Sequence, residues 1–192
     1  MSDTTSPPRR RPSTKTLYIG AGSLAAALAI VVVSIFTGAK VTNGNGDEPT
    51  SALVGKSVAT FSLSGLQRGT VEAPWKSHHS AVLIFFASTC PPCQGEMPKV
   101  AKYLRNHNEG SIRVLGVDAN DLSRAAAERF VKKDGVTFPI AWDPNDAVTT
   151  GIFKFATIPE TAFVNAKGIV KQIYFGAIPK DVLIRGIAAL RA

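Results

Sequence analysis

A chain of 192 residues is long enough for one domain with appendages. Its 22 Lys and Arg outnumber 14 Asp and Glu, for a formal net charge of +8, yet no basic run interleaves with aromatics, which argues against a nucleic-acid surface. There are two cysteines, and no second pair that would complete a four-ligand zinc site.

The first stretch, Met1–Thr16, is polar, with Pro7, Pro8 and Pro12 and with Arg9, Arg10, Arg11 and Lys15 against the single acid Asp3. It has nothing with which to build a core and is predicted to be a disordered basic tail. Residues 17–37 follow as a transmembrane anchor. Leu17–Phe36 is 20 residues without a charge, enough to cross a hydrocarbon core of about 30 Å. Basic residues before it and none inside it predict a cytoplasmic N-terminus and an exported remainder. Thr37-Gly38-Ala39 is a small-residue exit, so cleavage stays open as the other reading, although the apolar run exceeds the about 7–15 residues of a signal peptide. No cysteine stands at the exit of the segment, which rules out a lipoprotein. Residues 38–53, rich in Gly, Asn, Thr and Asp, read as a flexible linker. Residues 54–192 then form one domain with chain enough for a core.

Within that domain Val58–Leu63 alternates weakly, as an edge strand does. Gly65 and Arg68-Gly69 turn the chain toward Thr70–Glu72, which makes an N-terminal β-hairpin extension. Ala81–Phe86 is an apolar run that reads as a buried strand, and it leads into Cys90-Pro91-Pro92-Cys93 and a helix over Gln94–Arg105 with a kink at Pro98. A helix N-terminus carries free N–H groups and partial positive charge, both favourable to an anion. Cys90 at about the N-cap is therefore the expected nucleophile, and Cys93, one turn in and more buried, the resolving thiol. Pro91 and Pro92 have no N–H to offer the Cys90 sulfur, so its pKa is expected to fall only moderately below about 8.5, a lean toward a reducing couple. A plain structural disulfide is the alternative. A zinc half-site fails because His78 and His79 lack ligand spacing. Disulfides persist in an exported compartment, and two cysteines at redox spacing suit a working couple there.

Further along, Ser111–Asp118 is a second apolar strand. Leu122–Lys133 has helical apolar spacing, with Asp121 as its expected N-cap and Gly135 as its stop. Phe138–Trp142 is a short strand and Ala147–Phe153 a short helix. Thr161–Asn165 and Val170–Phe175 flank the turn Ala166-Lys167-Gly168 as a hairpin, and Lys180–Arg191 is a closing helix. The order predicts an α/β fold, a central mixed β-sheet with helices on both sides. Trp75 and Trp142 are expected in packing rather than in the site.

Several of these segments, taken together, resemble the TlpA/ResA/CcmG/DsbE-like proteins of bacteria, membrane-anchored thiol–disulfide oxidoreductases with the thioredoxin fold. They are Phe85–Cys93 with Glu96-Met97-Pro98, then Val117-Asp118-Ala119-Asn120-Asp121, then Thr157-Ile158-Pro159-Glu160-Thr161-Ala162-Phe163-Val164, and Asn165–Val170. The resemblance covers nearly all of 54–192. It implies a cis Pro159 lying against the cysteine motif, and an Ile158 whose backbone pairs with an extended substrate peptide. It also implies a carboxylate near the motif that tunes proton transfer to the cysteines, for which Asp121 and Glu160 are the candidates. Two departures stand out. Thr89 replaces the Trp common before the first cysteine, which makes the substrate-facing contact smaller or more polar. Thioredoxins proper carry a buried Asp six residues before that cysteine, where this chain has Ile84. The resemblance implies no cofactor. It implies exported disulfide substrates such as apocytochrome c, and a membrane thiol donor or acceptor, CcdA/DsbD-like or a quinone-linked oxidase. An oxidant that donates its disulfide, and a non-catalytic tethered module that binds peptides or a partner, remain the alternatives. The peroxiredoxin pattern, with Thr three residues before the cysteine, is absent because that residue is Ala87.

Overall fold

A computed structural model of the chain describes residues 51–107 and 109–191. The predicted tail, the anchor and all but the last three residues of the linker lie outside these. Among the described residues no helix is long and apolar enough to cross a membrane.

Among the described residues seven strands and three α-helices follow one another: β1 Ser62–Ser64, β2 Thr70–Glu72, β3 Ala81–Phe86, α1 Pro91–Asn106, β4 Arg113–Ala119, α2 Arg124–Lys133, β5 Ile140–Asp143, β6 Glu160–Val164, β7 Val170–Phe175 and α3 Lys180–Ala189. A 3₁₀ turn, Pro74–Ser77, precedes β3. The main sheet has the order β5-β4-β3-β6-β7. β3, β4 and β5 run parallel, while β6 and β7 run antiparallel to their neighbours. β1 and β2 pair antiparallel as a separate two-stranded sheet.

β3 is buried at all six positions, which is why its sequence is unbroken apolar rather than alternating. Its side chains divide between two cores. Val82, Ile84 and Phe86 face Met97 and Val100 of α1, Phe130 and Val131 of α2, and Leu183 and Ile187 of α3. Ala81, Leu83 and Phe85 face the other core, built with Phe61, Val71, Trp75, Phe153 and Phe155. The expectation of helices on both sides is corrected here. All three α-helices cover one face, and the second is covered by the chain before β3 and by the segment after β5. The expected helix at Ala147–Phe153 is a run of turns. Asp143 holds it by accepting from the Val148 and Thr149 amides and the Thr149 hydroxyl, so a side chain supplies what a longer helix would supply from its backbone.

Local signals set the element ends. The α2 N-cap is Ser123, whose hydroxyl accepts from the Ala126 amide, not Asp121, whose carboxylate is engaged elsewhere. Gly135, at φ 64°, turns the chain after α2. Asn165 Oδ1 accepts from the Lys167 and Ile169 amides across the β6–β7 turn.

Candidate active site

The site lies at the C-terminal end of β3, where the chain leaves the sheet and enters α1. Cys90 is the α1 N-cap, in extended conformation at φ −86°, and Pro91 and Pro92 occupy the first turn, where their missing N–H groups cost nothing. The cysteines form a disulfide, with Cα atoms 5.3 Å apart. Cys90 Sγ accepts from the Cys93 amide at 3.3 Å. Cys90 is 9 % exposed and Cys93 1 %, so an attacking group from solvent reaches Cys90 first.

The Ile158–Pro159 peptide is cis, and the Ile158 carbonyl is turned toward Cys90 Sγ at 3.8 Å. A disulfide sulfur has no hydrogen to donate, so this is a contact. Ile158 is half-buried, Pro159 buried and Thr89 exposed. Of these three residues, Ile158 touches the disulfide through its carbonyl, Pro159 follows it across the cis bond, and Thr89 precedes Cys90 in the chain.

The acids divide between the two faces. Asp121, 5 % exposed, accepts from the Ser88 amide at 2.7 Å and from the Ser88 hydroxyl at 3.0 Å. The Ser88 carbonyl in turn receives the Gln94 side-chain amide at 2.9 Å. One carboxylate thus ties the loop after β4 to the turn before Cys90. Glu160 pairs with Phe85 in register, and Phe85 belongs to the core on the face away from the cysteines. Its Oε1 accepts from the Thr157 hydroxyl at 3.1 Å, and Oε2 has no partner. Burial pushes its carboxyl up to about 7. The structure therefore brings Asp121 to the cysteine turn and does not bring Glu160 there.

Two further acids lie on the cysteine face, and sequence reasoning gave neither a role. Glu96, one turn beyond Cys93, is 4 % exposed and neither of its oxygens meets a donor within bonding distance. Burial raises it to about 7, with the Ile178 amide pulling the other way. It lines a cleft of about 670 Å³ between α1 and the start of α3, rimmed by Lys99, Lys102 and Lys180. Asp118 is fully buried on β4. A signal existed for both. Glu96 interrupts the stripe Cys93-Met97-Val100, which is the buried face of α1, and Asp118 interrupts an apolar strand. Charged residues at such positions are rare unless they are paired. Among the described residues no group of three or more His, Cys, Asp or Glu is placed to hold a metal ion.

Comparison with known proteins agrees with this geometry. The AhpC/TSA family model matches residues 54–173. The thiol-disulfide oxidoreductase ResA of Halalkalibacterium halodurans is 24 % identical over 154 residues, covering 80 % of this chain and 86 % of that protein. Sporulation thiol-disulfide oxidoreductase A of Bacillus subtilis is 25 % identical over 127 residues, covering 65 % and 76 %. Among solved structures, MTB DsbF in its mixed oxidized and reduced forms is 31 % identical. It superposes with a TM-score of 0.59 over 68 % of this chain and 94 % of that one.

Proposed function

The chain belongs to the AhpC/TSA family, within its TlpA/ResA/CcmG/DsbE-like thiol–disulfide oxidoreductases, and from that premise we propose that Cys90 and Cys93 reduce disulfides in exported proteins. The favoured substrate class is apocytochrome c, on the way to haem attachment. The observation that carries the reading is the placement of the more exposed sulfur at the α1 N-terminus, against the cis Ile158–Pro159 peptide.

In the reduced enzyme the Cys90 thiolate attacks one sulfur of a substrate disulfide. A Cys90–substrate disulfide forms, and the other substrate sulfur leaves as a thiolate and takes up a proton. Cys93, having lost its proton, attacks the Cys90 sulfur, closes the Cys90–Cys93 disulfide and releases the second substrate thiolate. The substrate gains two electrons and two protons, and a membrane thiol donor, CcdA/DsbD-like, returns them to the pair. Ile158 and Pro159 line the approach of the substrate strand, with Thr89 beside it. Of the two acids expected to manage protons, Asp121 has the supporting geometry through Ser88. Glu160, on the opposite face, has less.

The apolar segment 17–37, with the basic tail before it, supports an extracytoplasmic domain on a single membrane anchor. A thiol-peroxidase reading is disfavoured by Ala87, where a hydroxyl is wanted three residues before the cysteine. The second reading is the same exchange run backward, an oxidant for folding exported proteins.

The test is the reduction potential of the couple in glutathione or dithiothreitol buffers, with insulin as the protein disulfide. A value near or below that of thioredoxin, about −270 mV, together with insulin reduction abolished by Cys90→Ala, supports the reductant. A value near about −120 mV makes the protein an oxidant. Thiol-independent behaviour leaves only a binding module.

A further inference from the structure

On β4 the residues that point toward α1 are Val114, Gly116 and then an aspartate. Parallel register sets Asp118 between Phe86 of β3 and Trp142 of β5, on the face that also carries the cysteine pair. Its exposure is zero and neither oxygen meets a donor. A carboxylate stripped of water and given no donor is strongly disfavoured.

Three charged groups face it: Asp121 from the loop after β4, Arg124 from the first turn of α2, and Asp143 from the end of β5. The arginine is committed elsewhere, donating to the Gly65 and Leu66 carbonyls and to Glu128. Burial first, then the two neighbouring acids, push Asp118 up to about 8. At neutral pH its carboxylic acid has one O–H to give, and the Asp121 carboxylate lies within reach to accept it. Asp121 is the same group that binds the amide and hydroxyl of Ser88, two residues before Cys90.

We propose that Asp118 is a positioning residue of the thiol–disulfide centre, sharing one proton with Asp121 so that the pair anchors the Ser88 turn with a single negative charge and is coupled to the redox state of the cysteines. The coupling follows from charge balance. Opening the disulfide takes two electrons and two protons to give two thiols. When the Cys90 thiol ionises, a second negative charge appears beside the turn, and the pair then holds its proton more tightly. By reciprocity, removing the pair's proton disfavours the thiolate. The inference rests on the reading of Cys90–Cys93 as a cycling couple and adds a group that sets its pH dependence.

The experiment is carbon NMR of the full chain in detergent, labelled with ¹³C at the aspartate carboxyls, titrated first oxidised and then reduced with dithiothreitol. In the oxidised chain no cysteine titrates, so the carboxyls report alone. The Asp118 carbon is expected to complete its titration near pH 8. On reduction the step is expected to rise by roughly half a pH unit, as for a like charge placed beyond direct contact. In Asp118→Asn the step disappears and the pH profile of Cys90 alkylation by iodoacetamide becomes that of a lone thiol. An Asp118 carbon that titrates in the ordinary range near about 4, a step that reduction leaves in place, or an Asp118→Asn alkylation profile superimposable on wild type each overturns the proposal. If the oxidoreductase reading fails instead, insulin is left unreduced by the wild-type chain. The titration, driven by dithiothreitol, still gives its own answer.

Discussion

The two sulfurs are three positions apart and chemically alike, and their different work comes from where the helix puts them. Cys90 is outside the first turn, with the Cys93 amide directed at it, while Cys93 is packed under α1 with Met97 and Val100. Exposure sets the order of attack, because a substrate disulfide reaches the 9 % exposed sulfur and not the 1 % exposed one. Cys93→Ser should therefore leave the first exchange intact and remove the second. Incubated with an oxidised peptide, this variant is expected to accumulate a Cys90–peptide mixed disulfide, seen as a mass increase lost on adding dithiothreitol. Cys90→Ser should accumulate none, and equal adduct on both variants would refute the assignment of nucleophile and resolving thiol.

At the scale of elements, the disulfide is held where β3, α1 and the Ile158–Pro159 loop meet, so the packing of helix on sheet sets its geometry. Two glycines show how the same substitution changes sign with surroundings. A Cβ on Gly186 of α3 would lie 2.3 Å from Cε1 and Cζ of Phe163, a fully buried ring on β6. Alanine favours helix over glycine by about 1 kcal/mol, but overpacking a core costs about 1–3 kcal/mol, and a ring locked in the sheet has nowhere to go. Gly186→Ala is expected to lower the thermal midpoint by several degrees. A Cβ on Gly95 of α1 meets nothing within 4 Å, so Gly95→Ala should raise the midpoint, by up to about 1 kcal/mol in stability. Differential scanning calorimetry of the two variants measures both, and like signs would contradict the packing described.

At the scale of the whole molecule, three acids among the described residues, Glu96, Asp118 and Glu160, are buried largely without donors. Glu96 and Glu160 are raised from 4.5 to about 7 and Asp118 from 3.8 to about 8, in each case chiefly by burial. Each keeps a proton in the folded chain that the unfolded chain gives up at its own lower pKa. Between about pH 4 and pH 8 the unfolded state thus binds fewer protons, and stability falls as pH rises. The full contribution is present below the unfolded values and lost as pH passes the folded ones. For Glu96, 4 % exposed, the shift corresponds to a few kcal/mol at most. The unfolding midpoint is expected to decline from pH 5 to pH 8, and Glu96→Gln, neutral at every pH, should flatten the decline and be the more stable protein at pH 8. A wild-type midpoint flat or rising across that window would contradict the burial of these groups as carboxylic acids.

The alternation and runs of apolar residues were enough to find most of the strands and the three α-helices, because burial on one face or two leaves its period in the chain. The Cys-x-x-Cys at a strand-to-helix junction was legible because it is a local pattern, whereas Ile158-Pro159, about 70 residues later, drew attention only through the family resemblance. What the chain could not show is which face a residue takes when its neighbours give no clear period. Glu160 and Asp121 looked alike as acids near the motif, yet pairing with Phe85 sends Glu160 to the opposite face, and Ser88 claims Asp121 from the helix cap it was expected to fill. The short helix expected after β5 became a turn because Asp143 supplied its hydrogen bonds. Sequence periodicity records burial along one element. The partner of a buried charge is decided by strand order and register, which set Asp118 and Asp121, at and just past the end of β4, beside Ser88, just past the end of β3.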